Sequence, residues 1–354
     1  MSLSGWMQRC LALAARSRGR TAPNPMVGAL VVANDEIVGE GWHHAAGRPH
    51  AEVEALRAAG PLARGATMVV NLEPCCHHGR TPPCIDAILD AGITRVVVGM
   101  VDPDPRMQGR AITLLRAAGL EVVTGICEAD CQRLNRAYVI AKTQDRPMVV
   151  LKAGLSLDGR IASAAGESRW ITGDAAREAG HRLRDIHDAI MVGSGTLLAD
   201  DPALNTRIEG GRDARPVLLD SGLQCPEQAK VLDAGREPIV YCAEDAPARS
   251  LRAEVVRVPR TESGVDLDAV FSDMVQRGIL SVLVEGGGRV HHSLLSRGCV
   301  DRVHLFIAPM VLAGGQGWVA GRSFSLAGAP RMQVREVRTV GEDIHVVLDA
   351  KGES

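Results

Sequence analysis

Aromatic side chains are scarce: three Phe, two Tyr and four Trp in 354 residues. That scarcity argues against a stacking platform for single-stranded nucleic acid. A cationic excess is also missing, since 40 Lys and Arg face 42 Asp and Glu, for a net charge of −2. Broad phosphate neutralisation along a nucleic acid is therefore not expected, although local basic pockets for small phosphorylated ligands fit such a balance. No apolar run approaches the ~18 residues that a membrane helix needs. Arg16, Arg18 and Arg20 follow the apolar N-terminal stretch instead of preceding it, the reverse of a signal peptide. The nine cysteines are odd in number and scattered, so they do not describe a disulfide framework. They fit a reducing cytoplasm with some thiols kept for metal ligation. Internal repeats and low-complexity segments are absent, and so is a G-x-G-x-x-G run after the first strand of the second half, so a Rossmann reading fails its own test.

What is present is a long α/β alternation, and the length favours two domains. Periodicity predicts a helix over Ser4–Arg18, a hairpin from Val27–Val32 to Ile37–Glu40, and a helix over His50–Ala59. A β-α-β-α-β run from residue 67 to residue 124 follows, which implies a largely parallel sheet covered on both faces. One further helix is predicted over Cys127–Lys142. The polar stretch 143–147 is the expected boundary, giving domains 1–145 and 146–354. A second alternation then begins at the predicted strand Met148–Lys152. It includes a strand Leu280–Val284, a helix near Arg289–Ser296 and a closing β region around Ile344–Leu348.

Two constellations carry chemistry. In the first, His50 opens a helix, Cys75 follows a strand, and Cys84 opens another helix behind Pro82-Pro83, where proline is well tolerated. One imidazole and two thiolates make three zinc ligands and leave a fourth position for water, the arrangement of a catalytic site. Glu52 lies two residues from His50 and cannot share its helix face, so it reads as a proton carrier, not a ligand. A structural zinc site that recruits Cys76, His77 or His78 as fourth ligand, and a metal-free core, are the plainer alternatives. The pattern matches the first half of the H-x-E…P-C-x-x-C signature of zinc nucleobase deaminases, but eight residues separate Cys75 from Cys84 instead of two. In the second constellation, Gly286-Gly287-Gly288 follows an apolar strand and opens a helix, an anion cradle suited to a dinucleotide's phosphates. Cys127 and Cys131 read as packing residues, and His291 and His292 as surface residues.

The string from Asn71 to Cys84, Thr21–Gly28 upstream and Asp102-Pro103-Asp104-Pro105 downstream resemble the bifunctional deaminase/reductase family of riboflavin biosynthesis. Lys152–Arg160, Gly166–Thr172, Val192–Thr196 and Asp200–Arg207 resemble the same family's reductase half. The resemblance implies a cytidine-deaminase-like three-layer α/β domain followed by a dihydrofolate-reductase-like α/β domain, with Zn2+ and NADPH as cofactors. It implies that a 2,5-diamino-6-(phosphoribosylamino)pyrimidinone is deaminated and its ribosyl group then reduced to ribityl. By residue, it implies zinc on His50, Cys75 and Cys84, with Glu52 catalytic. Asn24 and Arg80 would contact the first substrate, and His43 or His44 would line its pocket. Gly154, Trp170, Thr196, Asp200, Ser221, Gly287, Gly288 and Arg289 would contact NADPH. Ser168, Arg184, Leu204, Arg207 and Glu285 would hold the sugar phosphate, the arginines by bidentate pairing. A nucleoside or tRNA deaminase with an unrelated C-terminal domain is the alternative enzyme, and a zinc-stabilised binding protein the alternative without catalysis. Oligomeric state and NADPH-over-NADH preference do not follow from sequence, and a homo-oligomer stays open.

Overall fold

The computed structural model describes residues 2–78, 82–233 and 235–351. The chain forms two compact units that meet at Arg146/Pro147.

In the first unit, α1 (Leu3–Ala14) is capped by the Ser2 hydroxyl, which accepts from Gly5 N at 3.2 Å. A hairpin, β1 (Gly28–Ala33) and β2 (Glu36–Trp42), turns through Asn34 and Asp35, both with positive φ. There follow α2 (Ala51–Ala59), β3 (Thr67–Leu72), α3 (Cys84–Asp90), β4 (Arg95–Met100), α4 (Arg110–Ala117), β5 (Glu121–Thr124), α5 (Glu128–Leu134) and α6 (Arg136–Gln144). The sheet order is β2-β1-β3-β4-β5, with β3, β4 and β5 parallel and the hairpin antiparallel. Helices α2, α3 and α4 bury Ala55, Ile88 and Leu115 on one face, while α1 and α5 bury Met7, Leu13 and Cys131 on the other. Three layers result, as the alternation predicts. Gly41 on β2 is a close-approach glycine, because a Cβ there would sit 2.3 Å from Ala51 O. That approach seats the first turn of α2 directly on the sheet.

The helix expected over 127–142 is two helices. Asn135 interrupts it at φ −97 and ψ 21. Its buried side chain is held by Met26, accepting from Met26 N at 2.8 Å and donating to Met26 O at 3.0 Å.

The second unit runs β6 (Met148–Ser156), β7 (Arg160–Ala162), α7 (Asp174–Ile186), β8 (Ala189–Gly193), α8 (Ser194–Asp200), β9 (Arg215–Leu219), β10 (Ile239–Ala243) and β11 (Glu254–Val258). It continues with β12 (Arg260–Thr261), β13 (Gly264–Val265), α9 (Leu267–Gln276), β14 (Ser281–Val284), α10 (Gly288–Ser296), β15 (Arg302–Ala308), β16 (Gln316–Gly317), β17 (Met332–Val340) and β18 (Asp343–Ala350). Nine strands form one sheet in the order β11-β10-β9-β8-β14-β6-β15-β18-β17. The seven from β11 to β15 are parallel, and the β18–β17 hairpin adds an antiparallel edge. The chain leaves β8 toward β9 on one side and leaves β14 toward β15 on the other. Loops diverging from neighbouring parallel strands open a crevice at their carboxyl ends, the usual ligand site of such sheets.

Candidate active sites

Three elements of the first unit converge at the carboxyl end of its parallel strands. His50 is the N-cap residue of α2, so the helix begins one residue later than predicted. Cys75 lies three residues beyond β3, and Cys84 is the first residue of α3, behind Pro83. His50 Nδ1 stands 3.1 Å from Cys84 Sγ and 3.5 Å from Cys75 Sγ, and all three donor atoms lie within 4.8 Å of one another. Tetrahedral zinc with bonds of about 2.0–2.3 Å separates its ligands by roughly 3.5 Å, so the donor set fits the ion. The Cys84 thiol hydrogen-bonds to Cys75 and, against burial, holds its thiol down to about 4, the ligating form.

Glu52 sits in the first turn of α2, 3% exposed, and stays outside the donor set. Burial, helped by the Cys75 charge, pushes its carboxyl up to about 7. A carboxyl poised there can both take and give a proton near neutrality. The cavity it lines measures about 320 Å³ and also holds Asn24, His43, Asp102 and Tyr138. His43 Nδ1 is 3.1 Å from Pro49 O and so donates to it, which leaves Nε2 to accept from Asn24 Nδ2 at 3.0 Å. The Asn24 carbonyl is thereby the end left for a ligand. Arg80 lies outside the described residues.

Residues that the sequence did not single out hold this site in place. Glu73 accepts from Asp102 N (3.1 Å), Gly109 N (2.9 Å) and Ala111 N (2.9 Å), tying the loop before Cys75 to the start of α4. Asn71 accepts from Gly28 N and donates to Met26 O, at 2.8 and 3.1 Å. Their partners lie tens of residues away, so no local pattern announces them.

In the second unit, the segments after β8 and β14 face each other across the crevice. A Cβ on Gly287 would be 3.2 Å from Thr196 Oγ1, and one on Gly288 would be 2.7 Å from Gly317 O. Gly287 caps α10 without any side-chain hydrogen bond and its carbonyl takes Val290 N at 3.0 Å, so the Gly288 and Arg289 N–H groups remain for an anion. That cradle fits a dinucleotide's phosphates. A cavity of about 570 Å³ beside it gathers eight predicted residues: Ser168, Trp170, Arg184, Thr196, Asp200, Leu204, Arg207 and Glu285, together with Lys152 and His181. Ser168 Oγ donates to Asp200 Oδ1 at 3.1 Å, and the Arg177 guanidinium lies 4.4 Å over the exposed Trp170 ring. Leu204 is buried, and Arg207 Nε donates to Asn205 Oδ1 at 3.2 Å.

Gly154 lies on β6, where a Cβ would meet Thr172 at 3.3 Å. Arg289 is exposed in the first turn of α10. Ser221 follows β9, its carbonyl accepting from Ala243 N at 3.2 Å, outside the walls of the 570 Å³ cavity. Arg184 donates Nε to Glu285 Oε1 at 2.8 Å, Nη2 to Glu285 Oε2 at 3.0 Å and Nη1 to Asn205 O at 2.8 Å. Lys152 Nζ adds a second cation 3.6 Å from Glu285. Burial alone would raise the Glu285 carboxyl, but the Arg184 and Lys152 charges hold it well below the usual carboxylate range. The surface reading of His291 is corrected: it is 1% exposed, with Nδ1 2.8 Å from Trp318 O, because the segment around Trp318 folds over α10.

Residues 1–100 match the cytidine and deoxycytidylate deaminase zinc-binding region, and residues 147–346 match the RibD C-terminal domain. The chain is 39% identical to riboflavin biosynthesis protein RibD of Bacillus amyloliquefaciens, over 98% of this chain and 96% of that one. It is 40% identical to RibD of Escherichia coli K12, over 96% and 97%. Among solved structures, Acinetobacter baumannii RibD superposes with a TM-score of 0.91 at 36% identity, covering 99% of both chains. A diaminohydroxyphosphoribosylaminopyrimidine deaminase/5-amino-6-(5-phosphoribosylamino)uracil reductase from Thermotoga maritima gives 0.89 at 35%, covering 98% of both.

Proposed function

The chain belongs to the RibD family of bifunctional riboflavin-biosynthesis enzymes, a zinc deaminase joined to an NADPH reductase, and we propose how its own residues divide the two reactions. A C-terminal domain unrelated to this pathway is excluded by the match over 147–346. The family's work is hydrolytic deamination of a phosphoribosylamino-diaminopyrimidinone, followed by reduction of the ribosyl group to ribityl.

In the first site, His50, Cys75 and Cys84 hold zinc, which supplies Lewis acidity and lowers the pKa of a water. Glu52 takes one proton from the attacking water and passes it to the ring nitrogen, then carries the water's second proton to the departing amine. The Asn24 carbonyl, oriented by His43, accepts from the pyrimidine. Arg80 is assigned to the phosphate from the sequence resemblance alone. The observation that carries this half is Glu52 itself, a buried carboxyl beside three donors yet outside them. A structural metal site has no use for such a group.

In the second site NADPH supplies the hydride. Gly287, Gly288 and the start of α10 receive its phosphates, with Gly154, Trp170, Thr196, Asp200, Ser221 and Arg289 as further contacts. Glu285 accepts from sugar hydroxyls. Arg207 and the N–H groups that Arg184 does not give to Glu285 or Asn205 bind the sugar phosphate, flanked by Ser168 and Leu204. The cofactors are Zn2+ and NADPH. No helix among the described residues is long and apolar enough to cross a membrane. The nine free cysteines support a cytoplasmic setting, and the charge balance supports a small-molecule substrate without nucleic acid.

The test is incubation of purified protein with the diaminopyrimidine ribotide, with and without NADPH. Ammonia is expected without cofactor, and NADPH oxidation only after deamination. NADPH oxidation that precedes ammonia release would overturn the proposed order.

A further inference from the structure

Beside the zinc donors lies a second group of soft donor atoms that neither reaction uses. Cys75 and Cys76 are neighbours in sequence, yet their sulfurs serve different surroundings. Cys75 Sγ faces His50 and Cys84, whereas Cys76 Sγ lies 3.7 Å from Met107 Sδ. His77 Nδ1 lies 3.3 Å from the same thioether. Met107 is 1% exposed and held in a turn: its N–H donates to Asp104 O, and its carbonyl accepts from Arg110 N, both at 2.8 Å. Thiol, thioether and imidazole therefore converge on a firmly placed sulfur.

We propose that Cys76, His77 and Met107 form a separate soft-metal site, in the wall of the deaminase cavity, that binds one monovalent coinage-metal ion, Cu(I) or its analogue Ag(I). Thioether sulfur is a poor ligand for zinc and a good one for Cu(I), so the two donor sets sort the two metals by softness. Bonds of about 2.0–2.3 Å in a three-coordinate arrangement place donors roughly 3.5–4 Å apart. The two spacings observed need only a few tenths of an ångström of adjustment. On binding, a sulfur–metal bond replaces the Cys76 S–H bond and the proton leaves to solvent, with no change of oxidation state. His77 and Met107 also line the cavity that contains His50 and Glu52. An ion there obstructs the pyrimidine's approach and leaves the reductase cavity untouched.

The experiment titrates zinc-loaded, full-length protein anaerobically with Cu(I) buffered by bathocuproine disulfonate, and measures bound copper and retained zinc on the same samples. One copper per chain with zinc fully retained is expected. Cys76→Ser and Met107→Leu should each weaken copper binding by about tenfold or more while keeping zinc, which also reports that they fold. Cys127→Ser, at the other half-buried cysteine away from the zinc set, should bind copper as the parent does. Copper uptake that expels zinc one for one, or Cys76→Ser and Met107→Leu variants that bind copper as tightly as the parent, would overturn the proposal. Copper-loaded enzyme should lose deamination and still reduce the deaminated intermediate. That second arm rests on the deaminase reading, whereas the binding arm stands without it.

Discussion

Arg184 on α7 and Glu285 at the end of β14 form a two-pronged ion pair, 101 residues apart in sequence, inside the cavity assigned to the sugar phosphate. Both side chains are mostly buried, at 15% and 11% exposure. Removing Arg184 takes both of its hydrogen bonds from Glu285 and leaves Lys152 as the remaining cation beside it, so the cost stays at or below the roughly 3–5 kcal/mol of a fully broken buried pair. Arg184→Ala should therefore lower the melting temperature of the reductase unit as well as its activity. The double variant Arg184→Ala/Glu285→Gln should recover most of the stability and none of the activity. Melting curves beside NADPH-oxidation assays separate the two effects. If the double variant melts no higher than the single one, the pair does not act as a unit.

Glu52→Gln keeps the shape of the residue and removes its ability to exchange protons. Zinc content should stay at one per chain, and deamination should fall by about 10²–10⁴-fold. Reduction of the deaminated intermediate should be unaffected. Metal analysis with an ammonia-release assay reads both. Substantial deamination by the zinc-loaded variant would remove Glu52 from the proton path.

Legibility in the sequence tracks how local each constraint is. His50, Glu52, Cys75 and Cys84 sit at helix starts and a strand end, positions that periodicity and Pro82-Pro83 reveal directly. The break at Asn135 was invisible, because the group that claims its side chain is Met26, 109 residues earlier. The burial of His291 was hidden for the same reason: Trp318, which covers it, lies 27 residues beyond. The family resemblance places both Arg184 and Glu285 at the sugar phosphate, but their grip on each other depends on β14 inserting between β6 and β8.

Asn135 deserves its own test, since it satisfies both backbone groups of Met26, two residues past Asn24. Asn135→Ala leaves the half-buried Met26 N–H without its acceptor, which costs up to about 1–3 kcal/mol. The segment carrying Asn24 should loosen, raising KM for the pyrimidine more than it lowers kcat. Zinc content should not change, since His50, Cys75 and Cys84 are held by other elements. A drop confined to kcat, with KM as in the parent, would assign Asn135 a different role.

Asp102 gives the pH dependence. Burial pushes its carboxyl up to about 6, although it accepts from Tyr138 Oη at 3.0 Å and from Asp104 N at 2.9 Å. Between the ordinary carboxylate value of about 3.9 and 6, the folded chain holds a proton that the unfolded chain has released. Folding stability from this group therefore falls as pH rises through that window and stays low above it. Asp102→Asn keeps an oxygen to accept from Tyr138 and Asp104 and carries no charge at any pH. The variant should be more stable than the parent at pH 7.5, by an amount on the order of 1–3 kcal/mol. The gain should shrink toward zero near pH 4. Denaturant titrations of both proteins at these two pH values measure it, and a gain that is equal at both, or larger at pH 4, would contradict a charge held against burial at Asp102.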